Sequence, residues 1–141
     1  MKLIKALSLE EYFKFKLDHL FNKTLDEETK FYLVSLLSRF GKSDNFFDMN
    51  NGKNDDESTV ELFLEAEDEK NIILKKLLFQ RIGDICLYSV GILSRDSSYY
   101  GFIGKSAYSS AVKLSTKEKP IFRNLCSEFD FITEKIRTIK F

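Results

Sequence analysis

Between Arg81 and Tyr108 the chain reads RIGDICLYSVGILSRDSSYYGFIGKSAY, and this stretch limits the fold more than any other. Its apolar residues recur at helical spacing in two segments, yet Gly83, Gly91 and Gly104 stand inside them. A glycine within a helix costs about 1 kcal/mol relative to alanine. Glycines kept at that cost predict close approach of another backbone or of a bound group. Gly83, Leu87 and Gly91 share one helix face at i, i+4, i+8, and Gly104, Ala107 and Ala111 share another at i, i+3, i+7. The two faces predict a close crossing of a helix over 81–93 with one over 100–114. The alternative is a concavity between them that admits a ligand or a partner's side chain.

The same stretch carries charge where charge is expensive. Arg81 and Asp84 stand three apart on one predicted helix, among Ile82, Ile85, Cys86 and Leu87, so they are expected to pair with each other. A charge taken out of water must be paired or hydrogen-bonded. Tyr88, one turn beyond Asp84, is placed to join, and Tyr99, Tyr100, Lys105, Ser106 and Tyr108 face the pair from the following segment, with Tyr99-Tyr100 read as the connection. Two readings follow. One is a satisfied polar network that fixes helix register; the other is a pocket in which Arg81 holds an anionic group and Asp84 orients it. Gly101 to Ser106, GFIGKS, does not make a phosphate loop, because its glycines are too close together and no strand precedes it.

Helical periodicity governs the rest of the chain. Ser8-Leu9-Glu10-Glu11 is a capping box, followed by a stripe of Leu9, Tyr12, Phe13, Leu17, Leu20 and Phe21. A second box at Thr24 to Glu27 opens a helix to Phe40 that is apolar on most sides, and a third at Ser58 to Glu61 opens the next. A break is expected near Glu67, then a long helix to about Leu93; the last helix runs from Pro120 through Ile136. Residues 43–57, rich in Asn, Asp and Gly, read as a flexible loop. Asp48 and Asn50 have the first spacing of a calcium loop, but Gly52 takes the next ligand position, so calcium is not expected. The expectation is an all-α single domain over 1–141, an irregular bundle of five or six helices.

Composition narrows the function classes. Lysine plus arginine equal aspartate plus glutamate at 22 each, so no global field favours nucleic acid. Two cysteines, Cys86 and Cys126, sit in apolar patterns and read as buried free thiols; with one histidine, His19, no metal site or cofactor is expected. The N-terminus lacks the apolar region and cleavage site of a signal peptide, and the best apolar run, Ile72 to Leu93, is interrupted by charge. A cytoplasmic protein without membrane insertion is expected. Fourteen phenylalanines exceed what a core of this size needs, which marks some of them, Phe15 beside His19 among these, for an interface.

The residues of the opening stretch resemble a family of uncharacterised bacterial helical proteins, chiefly proteobacterial. That family carries an Arg-x-Gly-Asp-x-x-Leu-aromatic-x-x-Gly segment ahead of Tyr-Tyr-x-x-x-Gly-x-Ser-Ala-Tyr. The matching residues are Arg81, Gly83, Asp84, Leu87, Tyr88 and Gly91, then Tyr99, Tyr100, Gly104, Ser106, Ala107 and Tyr108, roughly a fifth of the chain. The connection between the two segments is shorter here. The resemblance implies a bacterial origin and a focal site, with no reaction attached. The expected function is therefore a non-enzymatic helical interaction module whose partner is an unidentified protein or a second copy of itself. The alternative is a small-ligand-binding protein or enzyme with its pocket around Arg81, Asp84 and the Tyr99–Tyr108 segment.

Overall fold

The computed structural model describes residues 8–42, 55–115 and 120–139. Over these the chain is all-helical, with seven helices rather than five or six: α1 (Leu9–Phe21), α2 (Glu27–Gly41), α3 (Asp55–Asp68), α4 (Ile72–Gly91), α5 (Ser97–Lys113), α6 (Pro120–Ser127) and α7 (Phe129–Ile136). The expected loop lies mostly outside the described residues, as do Asp48 and Asn50; from Asp55 the chain is already helical.

The local signals vary in how well they place the helix ends. At Ser8 the box is complete: its hydroxyl accepts from the Glu11 amide, and the Glu11 carboxylate accepts from the Ser8 amide. The second helix instead starts at Glu27 with Asp26 as its cap, whose carboxylate accepts from the Thr29 amide. Thr24 is left to cap its own turn, donating to the Phe21 carbonyl. An aspartate is as good a cap as a threonine, and here it sits directly against the periodic run. The third box fails as well, since α3 begins at Asp55 and carries Ser58 and Thr59 inside it. The break near Glu67 holds: α3 ends at Asp68, and the Asn71 side chain restarts the helix by accepting from the Ile73 and Leu74 amides. The expected C-terminal helix is divided at Glu128, which has φ −102° and ψ 14°. The turn between α6 and α7 lets Phe122 and Leu125 on one side, and Phe129, Ile132 and Ile136 on the other, all reach the core.

α4 organises the molecule. Every residue from Ile82 to Gly91 is buried, so its C-terminal half is enclosed on all sides rather than along one stripe. α5 runs back along it with the most extensive interface in the structure, and α2, α3 and α7 also pack against it. Its N-terminal half, by contrast, is covered among the described residues on the side facing α3, where Phe63 and Phe79 meet edge to face at 5.5 Å. In α2, Leu33, Leu36, Leu37 and Phe40 are buried as the pattern requires, but Phe31 is 72% exposed. Among the described residues no helix is long and apolar enough to cross a membrane.

The expected close crossing of α4 with α5 is present, and each glycine has its own occupant. A β-carbon on Gly83 would lie 2.4 Å from the Tyr108 ring. One on Gly104 would lie 2.8 Å from the Cys86 β-carbon and from the Phe129 ring. Ala107 and Ala111 are fully buried on the same side of α5. Gly91 differs from expectation: it faces Ile136 of α7 at 2.9 Å, because the lower end of α4 is covered by the C-terminal helix. Gly101 is the contrast, since its added β-carbon would meet only Phe129 at an ordinary 3.8 Å. Gly101→Ala is therefore expected to raise stability by up to about 1 kcal/mol, read as a higher urea midpoint with an unchanged slope.

Candidate functional site

Asp84 is the centre of the site that the sequence marks. It points from α4 into the space between α2 and α5, and its carboxylate accepts from the Tyr108 hydroxyl at Oδ1 and the Tyr32 hydroxyl at Oδ2, each at 2.7 Å. The Arg39 guanidinium stands 3.7 Å from Oδ2. Tyr32 and Arg39 are seven residues apart on α2, two helical turns, so one face presents both. Phe122 of α6 closes the cluster, its ring 5.2 Å from Tyr32 and 6.0 Å from Tyr108. Three helices are thereby tied through one carboxylate.

The expected Arg81–Asp84 pair does not form. Arg81 is exposed and makes no ion pair with the described residues, while Asp84 is buried and its oxygens are taken from α2 and α5. On an α-helix a spacing of three leaves two side chains about 60° apart, enough here to put one outside and the other inside. Tyr88 is buried with its ring edge-on to Phe40 at 5.5 Å. Tyr99 and Tyr100 are not a connection but the first turn of α5, their rings 4.9 Å apart and perpendicular. Of the named residues, then, Asp84 and Tyr108 come together directly. Tyr32 and Arg39 carry no sequence signal that sets them apart, because a pair at i, i+7 does not stand out on a helix that also holds Lys30, Ser35 and Ser38.

The electrostatics follow from burial. Desolvation pushes the Asp84 carboxyl up to about 6, against the hydrogen bonds from Tyr32 and Tyr108 and the Arg39 charge, which pull it down. Burial and the neighbouring carboxylate hold both the Tyr108 and Tyr32 hydroxyls well above the usual phenol range. Both tyrosines are thus fixed as donors. Burial likewise raises the Cys86 thiol. Cys126, expected to be buried, is only partly so, and its thiol donates to the Lys105 carbonyl at 3.4 Å.

Lys105 and Ser106 face a different place. They line a polar groove of about 490 Å³ between α5 and α7, with Phe102, Asp130, Glu134 and Arg137. Three of its four charged groups are already engaged: Lys105 pairs with Asp130 at 3.0 Å, and Arg137 donates to the Val90 and Arg95 carbonyls. A second groove, of about 690 Å³, lies between α1 and α2, where Phe31, Val34 and Ile121 are rimmed by Glu10, Asp18 and Glu28. Phe15 and His19 are both exposed on α1.

The largest departure from an ordinary surface is on α4. Ile72, Ile73, Leu74 and Leu77 are 60, 73, 49 and 52% exposed, four large aliphatic residues within six positions. Ile73 and Leu77 lie one turn apart, with Arg81 a further turn on, so they form a single outward row. Single exposed apolar residues need no explanation, but a contiguous group of them marks an interaction surface.

Among the described residues no three His, Cys, Asp or Glu side chains converge to hold a metal ion. Compared with protein-family models, curated proteins and solved structures, the chain matches none. What the geometry defines is an all-helical protein with a three-helix carboxylate–tyrosine network inside and an aliphatic helix face outside.

Proposed function

We propose that this chain is a non-enzymatic helical interaction module of a bacterial cytoplasm, an irregular bundle that presents the outward face of α4 to a protein partner. The observation that carries this reading is the uncovered row of Ile73 and Leu77 with Ile72 and Leu74 beside it. The Asp84 cluster supports it from the other direction. Its acceptor oxygens are spent on two hydroxyls, and the Tyr108 ring occupies the space above Gly83, so the cluster acts as a register lock among α2, α4 and α5. The resemblance carried by the Arg81–Tyr108 residues falls on this lock, which accounts for a focal pattern without a reaction.

The test is retention from a lysate of the source cell on immobilised chain, wild type against Ile73→Asp/Leu77→Asp. Both positions are exposed, and at Ile73, in the first turn, an aspartate also suits the helix dipole, so the variant should keep its helical circular dichroism and its thermal midpoint. The reading expects a protein held by the wild type and lost from the variant. Equal retention by both, or none by either, counts against it.

One observation favours a second reading, a small polar ligand in the α5–α7 groove. Phe102, 64% exposed, stands beside Lys105 and Ser106 there. That reading requires Lys105→Ala to abolish a ligand's thermal stabilisation without lowering the midpoint of the free protein.

A further inference from the structure

Resting on the interaction-module reading, we infer that the partner of the α4 face is a second copy of this chain, packed antiparallel about a twofold axis near Lys75. The argument is one of self-complementarity. A twofold interface places the same patch on both sides, so residue i meets j and j meets i. Around an axis at Lys75, Ile73 of one copy meets Leu77 of the other, and both such contacts form at once. The aliphatic row is therefore complementary to itself in shape.

The charges at its two ends are complementary too. The tip of the α3–α4 hairpin, residues 65–70, carries Glu65, Glu67, Asp68 and Glu69 against a single lysine, Lys70. At the opposite end of the row stands Arg81, exposed and with no ion pair among the described residues. Arg81 lies four residues beyond Leu77, about 6 Å at 1.5 Å per residue. In the antiparallel pairing that offset brings it level with the partner's acidic tip. A parallel pairing would instead set the two acidic tips side by side, where like charges repel. The four aliphatic side chains, each about half exposed or more, form the apolar centre of this interface, and the Arg81–tip contacts form its polar rim. This assigns Arg81 a role its sequence neighbours concealed: it orients the pair.

The experiment is solution mass by light scattering or sedimentation over about two decades of protein concentration in the micromolar range, spanning the Kd of a weak to moderate dimer, at low and at raised salt. The inference expects a mass twice that of the 141-residue chain at the upper concentrations, and a monomer for Ile73→Asp/Leu77→Asp. Arg81→Glu should weaken association by roughly tenfold at low salt, and by less as salt screens the pair. Adding Asp68→Lys in the same chain should restore it. A wild type monomeric throughout overturns the inference, and so does a dimer indifferent to Ile73→Asp/Leu77→Asp. Failure of Asp68→Lys to rescue overturns the antiparallel arrangement. A monomeric wild type whose lysate retention still depends on Ile73 and Leu77 would sink the second copy while leaving the module reading standing.

Discussion

Gly83→Ala should lower stability by about 2–3 kcal/mol, although alanine is the better helix former. In an open helix the substitution would gain about 1 kcal/mol. Here the added methyl would fall 2.4, 2.5 and 2.7 Å from three carbons of the Tyr108 ring, well inside contact distance. The ring cannot swing aside cheaply. Tyr108 is fully buried, its hydroxyl is bound to Asp84, and its ring packs near Phe122 and Phe129. Moving it to admit the methyl would also strand a buried carboxylate–hydroxyl bond, a loss of about 1–3 kcal/mol by itself. Paired urea denaturations of Gly83→Ala and Gly101→Ala give the cleanest reading, because both sites are helical glycines that differ only in what they face. The two should move in opposite directions. A Gly83→Ala midpoint equal to or above the wild type would mean that Tyr108 does not fill this space.

The helical glycines show how much of the molecule could be read from its residues. Periodicity alone places α1, most of α2, α4 and α5, because each buries a stripe and stripes repeat at a known spacing. It also indicates that Gly83 and Gly104 mark a close crossing. It does not indicate what comes close: at Gly83 the neighbour is an aromatic ring from α5, and at Gly91 it is Ile136 of α7. Those identities depend on how helices far apart in sequence are set against one another. Asp84 makes the point sharply. Its charge among apolar residues announces a partner, and the helix spacing rule nominates Arg81. The actual partner from α2, Tyr32, is 52 residues away, and no local rule reaches that far. The exposed row on α4 was hidden for a different reason: the segment from Ile72 is apolar enough to pass for core, and only the packing of α3 reveals which half of the helix is left uncovered.

Relative to Asp84→Asn, the wild type should lose stability as the pH rises from about 4 to about 7, by up to about 3 kcal/mol. The sign follows from the direction of the shift. The Asp84 carboxyl is raised to about 6 from 3.8 in the unfolded chain, chiefly by desolvation, so between those values the folded protein holds a proton that the unfolded chain has released. Folding is favoured by that proton, and the advantage disappears as the pH passes the folded value. This runs opposite to the usual carboxylate, such as Asp26, where burial raises the carboxyl but hydrogen bonds with Thr29 and Asn124 more than offset it. Subtracting the Asp84→Asn profile removes Asp26 and every other group common to both proteins. Asparagine is the right reference because its carbonyl can accept from one tyrosine hydroxyl while its amide donates to the other, keeping Tyr32 and Tyr108 satisfied. The two hydroxyls bound to Asp84 contribute no competing titration in this window, because Tyr32 and Tyr108 are held as neutral donors. Urea midpoints at pH 4, 5, 6 and 7 therefore report the carboxylate alone. A flat difference would show that Asp84 is ionised throughout, with its hydrogen bonds and Arg39 fully offsetting its burial. A falling one would show a lock that holds α2, α4 and α5 together more firmly in its protonated form.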